Sequence, residues 1–339
     1  MTSIPAPVGR LAVPGARLAV LAVLVLAVLA GGCTGQTRPD GSAVPRTQSG
    51  SEPAVPGMPV WERRTSMDMP RDDFAHVVVG DEIWTFGGMT GDRGTRLDTS
   101  EVYDTSTDTW RYGPDLPQGL CSFEGAAIGP RVYLFGGLDA ASEPTDFAAV
   151  LDTRTGEWQQ LPPLPHARYA HDVDEIGGRI YVMGGEDSAG PEATVDVFDP
   201  KTGSWSQAAP MPQARSSVDL VAVGDVMYVL GGWLGSGETD LVQTYDTSTD
   251  AWGRAPSMPR PMSRGGAAGV DGKIYVSYHE WSAVYDVRRG RWSPANPMTV
   301  SRHGLGYIAV GQRIYGIGGC TEHPLRDVPF VDVLDVSGV

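Results

Sequence analysis

The 339-residue sequence carries a formal charge of −15 at pH 7 and contains 44 Gly, 27 Pro and 3 Cys. So many turn-forming residues argue against long helices, and the strong negative charge argues against nucleic acid or an anionic membrane surface as a target. Three cysteines are too few for a disulfide framework, although one bridge between Cys121 and Cys320 is possible.

The N-terminal segment is typical of an export signal. Arg10 and Arg17 precede the apolar run LAVLAVLVLAVLA (18–30), which is short for a membrane-spanning helix and typical of a secretory signal. The run ends in LAGGC (29–33), which resembles the lipobox of bacterial lipoproteins. This resemblance implies cleavage after residue 32 and a lipid on Cys33. An ordinary signal peptide followed by an incidental cysteine is the alternative.

The next segment, residues 33–57, is rich in Gly, Ser, Thr and Pro and nearly lacks large apolar residues. Such a segment cannot bury enough apolar surface to fold, and we expect a flexible tether. The predicted organisation is therefore a signal peptide (1–32), a lipidated tether (33–57) and one folded domain (58–339), held at the extracytoplasmic face of a membrane only through its lipid.

Two phrases recur along the folded domain. One places Asp and a turn between an aromatic or Leu residue and a Trp, as in YDTSTDTW (103–110), LDTRTGEW (151–158), FDPKTGSW (198–205), YDTSTDAW (245–252), YDVRRGRW (285–292) and the truncated LDVSGV (334–339). The other precedes it and ends a β-rich run in two glycines, as in IWTFGG (83–88), VYLFGG (132–137), IYVMGG (180–185), MYVLGG (227–232) and IYGIGG (314–319), with IYVSYH (274–279) as the exception. A period of roughly 40–49 residues is typical of propeller blades.

These phrases resemble the Kelch repeat, which has a glycine pair at the end of a strand, a spaced aromatic residue and a Trp. The resemblance covers about residues 59–339 and implies an all-β fold: a six-bladed β-propeller of four-stranded antiparallel blades. The sixth repeat stops before its Trp, while MPVWERR (58–64) supplies a Trp with no repeat ahead of it. We therefore expect an N-terminal strand around Trp61 to complete the last blade.

Residue types that recur at one position in most repeats are best explained by packing. We assign the glycine pairs and the repeated Trp residues to structure. An arginine stands sixteen residues before four of the glycine pairs, and we expect these arginines to bond backbone carbonyls near the channel; they are Arg71, Arg168, Arg215 and Arg302.

Function is expected where the repeat is irregular, at the mouth of the channel formed by the turns into the innermost strands and the loops after the glycine pairs. The fifth repeat is the most irregular, because SYHEW (277–281) replaces its glycine pair. A polar, sugar-like or carboxylate ligand would suit the candidate residues, which are Asp73, Tyr169, His171, Trp233, Arg264, Tyr278, His279, Glu280, His303, Glu322 and His323. Drift of a degenerate blade is the alternative explanation of the irregularity.

No metal or cofactor is expected. The histidines are dispersed, without H-E-x-x-H or C-x-x-C spacing, and no dinucleotide or P-loop motif is present. A copper radical oxidase also uses a Kelch-like propeller, but it needs a Cys–Tyr cross-link, and no matching motif accompanies Cys121.

The sequence favours an exported, lipid-anchored binding module that holds a protein partner or a glycan at its loop face. The alternative is an enzyme that resembles the six-bladed periplasmic sialic acid mutarotases, with Arg264 holding a carboxylate and Glu280 or His279 as acid or base. The catalytic residues of that family do not map onto this chain position by position, and the fold does not decide between the two.

Overall fold

The computed structural model describes residues 54–91, 94–322 and 325–339, and in these ranges the chain forms strands, turns and irregular segments. The described residues contain no helix that is long and apolar enough to cross a membrane. The predicted signal peptide and nearly all of the predicted tether, including Cys33, lie outside the described residues. The predicted all-β class is confirmed.

The first part of the chain forms the strands β1 (Glu62–Arg64), β2 (Ala75–Val79), β3 (Glu82–Phe86), β4 (Met89–Thr90), β5 (Thr95–Arg96), β6 (Ser100–Asp104), β7 (Thr109–Tyr112), β8 (Glu124–Ile128), β9 (Arg131–Phe135), β10 (Ala148–Asp152), β11 (Glu157–Gln160), β12 (Asp172–Ile176), β13 (Arg179–Met183), β14 (Glu186–Asp187), β15 (Gly190–Pro191), β16 (Val195–Asp199) and β17 (Ser204–Gln207). The remainder forms β18 (Asp219–Val223), β19 (Val226–Leu230), β20 (Val242–Asp246), β21 (Ala251–Ala255), β22 (Gly266–Val270), β23 (Lys273–Tyr278), β24 (Trp281–Asp286), β25 (Arg291–Ala295), β26 (Gly306–Val310), β27 (Arg313–Ile317), β28 (Cys320–Glu322), β29 (Leu325–Asp327) and β30 (Val331–Asp335).

Six four-stranded antiparallel sheets form the blades, as predicted. From the innermost to the outermost strand they are β2-β3-β6-β7, β8-β9-β10-β11, β12-β13-β16-β17, β18-β19-β20-β21, β22-β23-β24-β25 and β26-β27-β30-β1, which we number one to six. The innermost strands contact one another in a closed circle around the axis, from β2 through β8, β12, β18, β22 and β26 back to β2. Short hairpins extend the loops after the glycine pairs of blades one, three and six.

The N-terminal strand completes blade six, as the sequence predicted. β1 pairs with β30, with Glu62 opposite Val333 and Arg64 opposite Val331. Trp61 is buried and its indole N–H donates to the carbonyl of Asn296 at 3.0 Å. Because the first and last parts of the domain share one sheet, the ring is closed within blade six and β30 is not left as an unpaired edge.

The hydrophobic core consists of six clusters, each between two neighbouring blades. The repeated Trp side chains help to join these blades. Trp205, for example, donates its indole N–H to the carbonyl of Pro162 at the end of the preceding blade, at 3.0 Å. Trp158 departs from the pattern, because its indole nitrogen has no hydrogen-bond partner within the described residues.

The four repeated arginines are structural, as expected. Arg168 is fully buried, and it donates to the carbonyl of Gly184 at 3.0 Å and to the carboxylate of Asp196. Arg71, Arg215 and Arg302 make the equivalent bonds to a glycine carbonyl and to an acceptor side chain, with Glu101, Gln243 and Asp332 as acceptors.

The two blades that lack this arginine also lack its acceptor. Leu120 replaces the arginine in blade two, where Ala149 occupies the position of the acceptor, and Met262 and Ala283 take the same places in blade five. Donor and acceptor are therefore present together or absent together. A buried charge without its partner is costly, which explains why the pair changes as a unit.

Candidate functional site

Six equivalent residues form a closed ring of backbone hydrogen bonds at the mouth of the channel. Each lies two residues after the position of the repeated arginine, and its N–H donates to the carbonyl of its counterpart in the preceding blade at 2.6–3.2 Å. The six residues, in blade order, are Asp73, Ser122, Ala170, Ser217, Arg264 and Gly304. The same turns form bridges to the loops after the glycine pairs, such as Asp72 to Met89, so turns and loops share one face. We call this face the loop face.

All six ring residues have left-handed backbone geometry, with φ between 50° and 59°. Such a backbone favours glycine, and a different residue there costs roughly 1–3 kcal/mol. Only blade six has glycine in the ring. The other blades carry Asp, Ser, Ala, Ser and Arg at strained positions, so the mouth presents five non-glycine side chains on one repeated backbone.

Arg264 and Asp73 pair across the mouth. A guanidinium nitrogen of Arg264 lies 3.0 Å from Oδ2 of Asp73, although the two residues belong to blades five and one. Ser122 and Ser217 also lie close to this pair, with hydroxyl distances of 3.4 Å to Asp73 and to Arg264. The sequence placed both charged residues at the mouth, and the structure brings them into direct contact.

The irregular stretch of blade five is a tight hairpin. β23 and β24 pair up to Tyr278 and Trp281, which leaves only His279 and Glu280 in the turn, and His279 has a φ of 50°. Loss of the glycine pair therefore shortens this loop. Glu280 is exposed at the tip of the hairpin.

Aromatic and imidazole rings cluster beside this hairpin. The rings of Tyr278 and His279 are 3.9 Å apart, and those of His279 and His303 are 5.3 Å apart. The Tyr278 hydroxyl donates to Glu238 of blade four at 2.6 Å, and the hydroxyl of Ser263 lies 3.2 Å from the same carboxylate oxygen. Three predicted residues thus share one cluster, which Glu238 connects to the residue before Arg264.

The other predicted residues are dispersed around the loop face. The backbone of Tyr169 forms an isolated β-bridge with that of Glu186 in blade three. Burial together with the Glu186 charge raises the pKa of Tyr169 to about 12. Trp233 is partly buried in blade four, where its backbone forms isolated β-bridges with Ser216 and Glu238.

His171 lies below the mouth. It is 3% exposed, and its Nε2 lies 3.0 Å from the carbonyl oxygen of Phe135. Burial and the charge of Arg168 lower the pKa of His171 to about 3, so this side chain is neutral and packs between blades. Glu322 lies in β28, where its backbone pairs with Leu325, and His323 lies outside the described residues. Cys121 has a free, buried thiol, so the possible Cys121–Cys320 bridge is not formed.

Below the ring, a central cavity of about 400 Å³ follows the innermost strands. Its lining includes several polar residues that are not among those predicted from the sequence: His76, Glu124, Asp172, Asp174, Glu175, Asp219 and Tyr307. They lie in the innermost strands, four to seven residues after the repeated arginine position. The repeated arginine is the sequence signal from which these residues could have been found, because counting forward from it gives both the ring residues and the residues that line the cavity.

This geometry defines a closed six-bladed propeller with a polar mouth and an acidic interior. The model of the KLHDC2/KLHL20/DRC7 Kelch-repeats domain matches residues 74–277 and 122–319 of the chain. The chain belongs to the Kelch-repeat family.

Curated relatives match only a short part of the chain. Kelch-like protein 15 of Gallus gallus is 30% identical over 87 residues, which is 26% of this chain and 17% of that protein. Kelch-like protein terF of Aspergillus terreus is 31% identical over 80 residues, 23% of this chain and 17% of that protein. The chain therefore covers under a fifth of the length of these relatives.

The solved structure of YjhT is similar over most of the domain. It aligns with a TM-score of 0.71 and 16% sequence identity, and it covers 80% of this chain and 97% of the YjhT chain. At this identity the similarity shows the fold alone.

Proposed function

We propose that the chain is an exported, lipid-anchored binding module that holds a protein partner or a glycan of the cell envelope at its loop face. The observation that carries this proposal is the strained ring. Five of its six residues are not glycine although their φ angles lie near 50°. Backbone strain of this kind is a mark of functional sites, because stability alone would favour glycine.

The identity of the ring residues supports a binding role. Repeated structural positions in this chain carry one residue type in most blades, whereas the ring carries charged, hydroxyl and small side chains. Arg264 and Asp73 give the mouth a polar centre, and the rings of Tyr278, His279 and His303 lie beside it. Tyr278 is buried, whereas His279 and His303 are half-buried, and imidazole surface next to hydrogen-bonding groups suits both peptides and sugars.

A photo-crosslinking amino acid placed at either end of one strand tests the proposal. Glu280 precedes β24 on the loop face, and Arg288 lies in the turn after β24 on the opposite face. Both are exposed. In cells that produce the full-length chain, we expect adducts from the probe at position 280 and none from position 288, with mass spectrometry distinguishing protein from glycan.

The ring supplies matched variants for the same experiment. Arg264→Gly and Ala170→Gly both remove a side chain from a left-handed position, but only the first removes a polar group. We expect Arg264→Gly to reduce the adducts at position 280 by roughly ten-fold, and Ala170→Gly to leave them unchanged. Adducts at position 288 alone, or equal loss in both variants, would contradict the proposal.

The lipid anchor is tested separately. The LAGGC motif predicts that Cys33→Ser releases the chain from the membrane fraction and from the detergent phase in Triton X-114 partitioning. Unchanged partitioning of the variant would remove the lipoprotein part of the proposal without affecting the binding part.

A sugar mutarotase is the second candidate. It is favoured by one observation: Arg264 and Asp73 stand together at the mouth of a polar cavity, so a guanidinium and a carboxylate face the same space. Exchange between the anomers of N-acetylneuraminate, measured by magnetisation-transfer NMR, should exceed the spontaneous rate and should fall to that rate in Arg264→Ala. Exchange at the spontaneous rate with the wild-type chain would exclude this candidate.

A further inference from the structure

The cavity below the ring has two unlike walls. Blades two to four contribute the carboxylates of Glu124, Asp172, Asp174, Glu175 and Asp219. Blades five and six contribute small or apolar residues and one aromatic ring: Gly266, Ala267, Gly269, Tyr307, Ile308 and Ala309. The cavity is therefore acidic on one side and weakly polar on the other.

Two of these carboxylates have a structural role. Oδ2 of Asp172 accepts the backbone N–H of Leu220 at 2.6 Å, and Oδ2 of Asp174 accepts that of Ala222 at 2.9 Å. Both bonds run from blade three to the innermost strand of blade four. These two side chains join neighbouring blades, and the fold itself explains them.

Asp219 is different, because no group within the described residues donates a hydrogen bond to its carboxylate. Its Oδ2 atom is buried and has no partner. A buried polar group without a partner costs roughly 1–3 kcal/mol, and more when it is charged. Burial and the nearby charge of Glu124 raise the pKa of Asp219 to about 7. The fold thus keeps an acid in the cavity without supplying the donor that would satisfy it.

The basic groups that line the described part of the cavity form their hydrogen bonds and ion pairs with other residues, and the charge of His76 also acts on Asp219, where it opposes the rise of the pKa. Arg264 pairs with Asp73 at the mouth, and His171 lies against the carbonyl of Phe135. His76 accepts the backbone N–H of Tyr307 at Nε2, at 3.1 Å. Its other ring nitrogen lies 3.4 Å from a carboxylate oxygen of Glu124. Negative charge is therefore in excess around Asp219.

We propose that this cavity binds a small organic cation: a primary ammonium group on a compact apolar body. The ammonium group supplies the hydrogen bond and positive charge that Asp219 lacks, while the apolar body lies against the glycine and alanine wall of blade five. A volume of about 400 Å³ suits a small ligand of this kind. The ligand enters from the face opposite the loop face, where Gly269 is exposed, because the Arg264–Asp73 pair crosses the other end.

Isothermal titration of the purified full-length chain with 2-phenylethylamine, and with its uncharged counterpart 2-phenylethanol, tests the proposal. We expect the amine to bind at least roughly ten-fold more tightly than the alcohol. Its affinity should rise between pH 6 and pH 8, because the ammonium group binds the ionised form of an acid whose pKa is about 7. Binding at pH 6 should release a proton, seen as a heat that depends on the buffer.

Asp219→Asn is the informative variant, since it keeps the shape of the side chain and removes its charge. We expect it to weaken amine binding at least roughly ten-fold and to reduce the pH dependence, while Asp271→Asn, at an exposed turn of blade five, changes neither. Equal binding of amine and alcohol, full affinity in Asp219→Asn, or no heat with the amine up to about 10 mM would overturn the proposal. Crosslinking at position 280 should persist in Asp219→Asn, so the failure of this site and of the loop-face proposal are distinguishable.

Discussion

The buried arginine and its acceptor should behave as one energetic unit, and the chain itself supplies the substitutions that test this. Arg168 and Asp196 are both fully buried and paired. Blade two carries Leu120 and Ala149 at the equivalent positions and folds without either charge. We therefore expect the double substitution Arg168→Leu/Asp196→Ala to be tolerated better than either single one.

The magnitude follows from what each change leaves behind. Arg168→Leu leaves the Asp196 carboxylate in the interior without its guanidinium, and breaking a buried pair in this way costs about 3–5 kcal/mol. For a domain of this size that loss lowers the melting temperature by roughly 6–15 °C. In the double variant neither charge of the pair remains, and replacement of a buried pair by apolar residues is often nearly neutral. The double variant should therefore melt above both single variants.

Arg215→Leu is the matched control. Arg215 occupies the same position in blade four, but its acceptor is the uncharged side chain of Gln243. Its loss should cost only about 1–3 kcal/mol, because an amide is left unsatisfied rather than a carboxylate. Calorimetric melting and urea unfolding of the four variants measure these differences. Equal losses in Arg168→Leu and Arg215→Leu, with no recovery in the double variant, would refute the reasoning.

Three further outcomes are expected. Trp205→Phe should cost roughly 0.5–1.5 kcal/mol more in urea unfolding than Trp158→Phe, because only Trp205 gives up a hydrogen bond to the preceding blade; equal losses would show that the indole N–H contributes nothing. Ala170→Gly should raise the free energy of unfolding, measured in urea, by about 1 kcal/mol, because glycine relieves a φ of 52°. A lower free energy of unfolding in the variant would contradict the strain argument. Since the pKa of Asp219 is raised to about 7, the folded state binds more protons than the unfolded state above pH 4, and this residue should make the domain less stable as the pH rises towards 8. Asp219→Asn should reduce the fall of the free energy of unfolding with rising pH. An unchanged fall in the variant would show that other groups cause the pH dependence.

The fold was predictable because each repeat carries its own signals. The glycine pair ends a strand, the Asp-rich turn joins two strands, and the Trp begins the outermost one, so the blades and their number could be read from the spacing. The missing Trp of the sixth repeat and the unmatched Trp61 also predicted the closure by β1. These features are local in sequence and repeat at one period, so the sequence alone reveals them.

The site was less predictable, because it depends on contacts between blades. Asp73 and Arg264 are paired although 191 residues separate them, and no local pattern shows that contact. The irregular stretch at 277–281 marked a real departure, but the departure is a shortened hairpin. The cavity acids were overlooked because they alternate with apolar residues in ordinary β-strands, so their sequence is that of a half-buried strand.

The ring of backbone hydrogen bonds has a consequence for how this mouth can change. All six bonds run in the same direction around the axis, and each ring residue contributes its N–H and its carbonyl, so the contacts that hold the ring do not depend on side-chain identity. Sequence variation at these positions can therefore alter recognition chemistry while the spacing of the six side chains stays constant. Natural or laboratory selection could therefore change which ligand the domain binds, one ring position at a time, while the blades and the ring of hydrogen bonds stay the same.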